Sequence, residues 1–141
     1  MKWGVLAFIF IFSNVHAETC SQHDFDKADM AMDSLKSWKS VDDYFSMYSN
    51  CDVGYISEGT SEMIIRLLVD NWGQLNELSA LVKRKLAIEN YVLDHVNSTL
   101  GIDDLEKLRD YSALHCQIDN KKLCEKLHDS SIVALKKLYS L

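Results

Sequence analysis

No proline occurs anywhere in this 141-residue chain, and its apolar residues recur at three- and four-residue steps. Helices joined by short connections are the fold that pattern demands. From Asp24 to Lys39, the residues Phe25, Ala28, Met32, Leu35 and Trp38 fall on one face and predict a first helix. Ser40 with Asp43 has the form of a capping box, and Val41, Tyr44, Phe45 and Tyr48 predict a second helix ending near Asn50. A third helix, starting between Tyr55 and Ser61 and stopped by Gly73, is apolar on most sides through Ile64, Ile65, Leu67, Leu68 and Val69, and is expected at the centre. Shorter stripes follow at Leu75 to Val82 and at Leu86 to Val96, the latter expected to end at Gly101. Asp103 and Asp104 open a sixth helix, and Leu123 to Leu138 form the last. The expected fold is all-α: a single compact bundle of six to seven short helices over residues 18–141.

The chain begins with Lys2, an apolar run from Trp3 to Phe12, and Val15-His16-Ala17, the pattern of a secretory signal peptide over residues 1–17. An apolar run of about ten residues falls short of the roughly twenty needed to span a bilayer, so no transmembrane anchor is expected. Cleavage would remove one lysine and no acid, taking the net charge from −6 to about −7. That balance argues against nucleic acid and anionic membranes as partners. The expected location is the periplasm or the medium.

All four cysteines, Cys20, Cys51, Cys116 and Cys124, lie beyond the leader, and an even number in an oxidising compartment predicts two disulfides. On one straight helix Cys116 and Cys124 would stand roughly 12 Å apart, past the roughly 7 Å limit for a bridge. The capping residues Asp119 and Asn120 offer a turn between them. Of the three possible pairings, Cys20 to Cys51 and Cys116 to Cys124 are expected.

The stretch from Cys51 to Glu62 organises the rest. Gly54 suits the left-handed backbone of a turn. Gly59 stands at the start of an apolar helix, where glycine costs about 1 kcal/mol relative to alanine, so another helix is expected to approach its backbone. Asp52, Glu58 and Glu62 could form a carboxylate cluster, with Glu58 and Glu62 one turn apart. Turn and helix-start chemistry explains the same acids more simply. The chain has no calcium-loop pattern and no His-x-x-x-His spacing, so neither metal nor cofactor is expected. His95, among Tyr91, Val92 and Val96, reads as a buried, hydrogen-bonded histidine. No serine sits in a Gly-x-Ser-x-Gly elbow, and no catalytic residue is expected. Asn97-Ser98-Thr99 matches the short glycosylation sequon.

The pattern Cys51-Asp52-x-Gly54-x-Ile56-x-Glu58-Gly59-x-Ser61, with Leu67-Leu68, Trp72, Val92-Leu93-x-His95, Thr99, Cys116 and Cys124, resembles a family of small exported bacterial proteins without an assigned activity. Val53 stands where that family tends to carry a second acid, and the proline that tends to follow the first late cysteine is absent. The resemblance implies a periplasmic helical protein and brings no catalytic residue with it. In general character the chain is also similar to the small helical periplasmic immunity proteins that neutralise cell-wall-degrading toxins, a likeness of type without a shared motif.

These readings converge on a non-catalytic module that binds another protein, with Asp52, Tyr55, Glu58 and Glu62 as contact residues and a basic partner steered by the negative field. Two alternatives stand beside it. One is a small periplasmic hydrolase using Glu58, Glu62 and His95; the other is a helical carrier of a small hydrophobic ligand, a class that usually has six cysteines.

Overall fold

The computed structural model describes residues 19–141; the expected signal peptide lies outside them. Among the described residues seven α-helices succeed one another: α1 (Gln22–Met32), α2 (Trp38–Tyr48), α3 (Gly54–Asp70), α4 (Leu75–Arg84), α5 (Leu86–Asp94), α6 (Ile102–Leu114) and α7 (Lys121–Tyr139). Short 3-10 turns precede α3, α4 and α7. No described residue forms a strand. The all-α bundle is the expected one, and two of its boundaries correct the sequence reading.

The first correction concerns residues 33–37, which interrupt what read as one helix from Asp24 to Lys39. Ser37, not Ser40, caps α2: its hydroxyl accepts from the Ser40 N–H at 3.1 Å, while the Ser40 hydroxyl accepts from the Ser37 N–H at 3.0 Å. This reciprocal box satisfies donors that a continuous helix would have paired internally. Leu35 and Trp38 are buried all the same, which is why the apolar spacing ran unbroken through the gap.

The second correction is that α5 stops at Asp94 instead of reaching Gly101. The Asn97 side-chain oxygen accepts from the Thr99 N–H at 2.9 Å and from its hydroxyl at 2.6 Å, a local alternative to helical pairing.

As expected, α3 occupies the centre. It buries Ile56, Ile64, Ile65, Leu67, Leu68 and Val69 and packs on both α1 and α6. Gly59 lies against the Met32 thioether of α1, where an added Cβ would overlap it. The backbone approach expected at this glycine is therefore made by α1.

Helices α6 and α7 form the most extensively packed pair, an antiparallel hairpin whose far end is tied by the Tyr139 hydroxyl donating to Glu106 at 2.8 Å. Its near end is closed by Cys116–Cys124, with Cα atoms 6.2 Å apart. The second bridge, Cys20–Cys51, joins the chain start to the turn before α3 at 5.0 Å. Both expected disulfides are present. Arg66 of α3 reaches Asp104 of α6, and Lys85 bonds Asp42 at 2.8 Å and Ser46 at 2.9 Å across to α2. Among the described residues no helix is long and apolar enough to cross a membrane.

Candidate functional site

Gly54, at φ +57°, takes the left-handed backbone that its position was expected to need. The turn it makes leaves Cys51 fully buried in its disulfide and swings Asp52 inward. There the Asp52 carboxylate meets His95 Nε2 at 2.7 Å, and the other face of that ring, Nδ1, lies 2.7 Å from Ser61 Oγ. Asp52 comes from the turn, Ser61 from the middle of α3, and His95 from the C-terminal cap of α5. Tyr91, one turn before His95, stands edge-on to its ring at 4.6 Å.

Aspartate, histidine and serine in line have the composition of a hydrolytic triad. Its surroundings fit a different role. The Ser61 hydroxyl donates to the Ser57 carbonyl at 2.9 Å, and its oxygen accepts from the Asn97 amide at 3.3 Å. The same oxygen also lies against His95 Nδ1, and which of the two carries the shared proton follows the tautomer of the ring. His95 Nε2 in turn faces the carboxylate, so both ring nitrogens are engaged. Access is closed: Ser61 is 1% and His95 3% exposed. The string is a buried tie joining three separate segments.

Around it the polar account is nearly closed. Thr60 donates to the Ile56 carbonyl at 2.8 Å, and the Tyr44 hydroxyl donates to the Ala28 carbonyl at 3.2 Å. Two buried atoms, Asp52 Oδ1 and the Tyr91 hydroxyl, make no direct hydrogen bond. Burial, and then the Asp52 carboxylate, push the Tyr91 phenol well above its ordinary range.

The four anticipated contact residues separate into two groups. Asp52 leaves the surface: its side chain is 9% exposed and engaged by His95. Tyr55, Glu58 and Glu62 are exposed and, at steps of three and four, share one face of α3. Tyr55, 55% exposed, stands edge-on to Phe25 of α1 at 5.5 Å. Partial desolvation, then Asp29 and Asp26 of α1, raise its phenol, which places those carboxylates beside the stripe. Glu62 pairs with Arg66 at 3.3 Å. The structure therefore joins His95 to Asp52 and Ser61, and not to the Glu58 and Glu62 of the hydrolase alternative.

Ser61 and Asn97 went unnoticed as partners of His95. A histidine among apolar neighbours signals that partners exist, but Ser61 lies 34 residues away, and only the fold joins them. Asn97 itself is fully committed, to Asp94, Ser61 and Thr99, so the sequon serves as turn chemistry. No group of three or more metal-ligating side chains assembles among the described residues.

Charge is distributed unevenly. Residues 19–62 carry nine acids against three lysines, whereas residues 63–141 carry eleven of each sign. The excess negative charge thus belongs to α1, α2 and the first half of α3. Compared with known proteins, the chain matches no family model, and no curated protein or solved structure matches it.

Proposed function

We propose that this chain is an exported, non-catalytic module that binds a basic protein surface through the acidic face of α1 and α3. The observation that carries the reading is the charge asymmetry, which puts the entire net charge of the described residues within 19–62. Along that segment Tyr55, Glu58 and Glu62 line an exposed stripe, with Asp26 and Asp29 beside it. An aromatic flanked by carboxylates suits an interface in which the charges steer encounter and the ring supplies buried area. Two disulfides and a tie buried beneath the same turn support a rigid face, which loses little freedom on binding. Inhibition of an exported toxin, the role of periplasmic immunity proteins, is the specific task such a module would suit.

The test uses the oxidised chain from residue 18, immobilised, with periplasmic extract passed over it. A protein with a basic surface should be retained at low salt, released as salt rises, and lost with Glu58→Lys/Glu62→Lys. Equal retention by the charge-reversed variant would contradict the reading. So would turnover of a peptidoglycan or ester substrate by the purified chain.

A further inference from the structure

We propose that the groove between the end of α4 and the start of α7 binds an anionic head group carried on a short apolar body. It lies on other elements than the acidic stripe, and the two readings stand or fall separately. The groove measures about 480 Å³, within the roughly 300 to 1,000 Å³ usual for small-molecule sites. Val82 and the buried Leu123 provide apolar lining, and Ile118 stands at its wall 88% exposed.

Four lysines line it in a chain that is acidic overall. Lys126 is neutralised by Glu89, and Lys121 is loosely paired with Glu125 at 4.0 Å. Lys83 and Lys122 have no ion-pair partner among the described residues, and Asp119 is the other acid lining the groove. Ammonium groups with no carboxylate to hold are available to an incoming anion.

Two further features point the same way. Ser79 lines the groove and is only 6% exposed, yet its hydroxyl has no hydrogen-bond partner among the described residues. Open to the groove and not engaged by the protein, that hydroxyl is free to donate to an anionic oxygen. The groove also abuts the first turn of α7, a 19-residue helix whose start has no side-chain cap. Asn120, at the N-cap position, donates its side-chain amide to Asn76 at 2.7 Å. The positive end of the helix dipole therefore adds to the field of the lysines. Together these features select a carboxylate or phosphate head, with the apolar body resting on Val82, Leu123 and Ile118.

The proposal is tested by titrating the isotope-labelled oxidised mature chain with octanoate and octyl phosphate, following backbone amide shifts. Octanol and inorganic phosphate serve as the head-less and tail-less controls. Both amphiphiles should saturate at the amides of Ser79, Lys122 and Leu123, with each control at least about tenfold weaker. Lys83→Gln/Lys122→Gln should weaken both amphiphiles about tenfold while leaving the rest of the amide spectrum in place. Ser79→Ala should weaken them about threefold. Octanol binding as tightly as octanoate, inorganic phosphate as tightly as octyl phosphate, or an undiminished affinity in the lysine variant would each overturn it.

Discussion

The two bridged regions of the molecule are held in opposite ways. Around Cys20–Cys51, chain segments are joined by directional polar contacts: Asp52 to His95, His95 to Ser61, Asn97 to Ser61, and Tyr44 to Ala28. Around Cys116–Cys124, the α6–α7 hairpin rests on an apolar seam of Leu105, Leu108, Leu123, Leu127, Ala134 and Leu135. Apolar seams tolerate small errors of shape, whereas a buried polar tie tolerates neither the loss of a partner nor a shift in geometry. The difference teaches where rigidity is specified: at the turn beneath the exposed acidic stripe, and not in the hairpin.

The comparison breaks most sharply at Asp52. Asp52→Ala leaves the buried His95 ring without its carboxylate partner, and should cost about 3 to 5 kcal/mol in urea unfolding at neutral pH. Asp52→Val/His95→Leu together should recover most of that loss, because no unpaired charge remains. If the double variant is as unstable as the single, the tie contributes more than mutual satisfaction.

Next in size are the bridges. Replacing Cys20 and Cys51 by serine should cost roughly 3.5 kcal/mol and replacing Cys116 and Cys124 roughly 2.5, following loops of 31 and 8 residues. Equal losses from the two would remove loop length as the distinguishing factor. Smaller still is an alkaline effect. Because the Tyr91 phenol is raised in the folded state, its contribution is intact below the unfolded value near 10 and lost as pH rises beyond it. Stability should fall by about 1.4 kcal/mol per pH unit there from this group. Tyr91→Phe should remove that slope at little cost near pH 7, since the hydroxyl makes no hydrogen bond. The smallest change is expected from Gly59→Ala. Its helix gain of about 1 kcal/mol is offset by displacing the flexible end of Met32, leaving a net effect within about 1 kcal/mol of zero in the same unfolding assay.

Periodicity and cysteine spacing made the bundle legible, because helical faces and a hairpin turn are local properties. The central position of α3 could be read from Ile64 to Val69, whose apolar residues leave few sides for water. The break after Met32 could not, since Ser37 and Ser40 form a cap that looks ordinary beside a continuing apolar stripe. The site was half legible. His95 announced a buried polar contact, but its partners lie 34 and 43 residues away in chain order, and nothing local to Ser61 or Asp52 names them. Asp52 was misplaced on the surface for the same reason: a turn acid and a buried counter-charge have the same sequence signature.

The claim on which the account turns is that the aspartate–histidine–serine string is a sealed tie and not a nucleophile awaiting substrate. A fluorophosphonate probe, which labels activated serines, tests it on the native oxidised chain at neutral pH, with peptide mapping to locate any adduct. The account predicts no labelling at Ser61, because no reagent reaches the buried oxygen. Stoichiometric labelling of Ser61 that disappears in His95→Ala would contradict it.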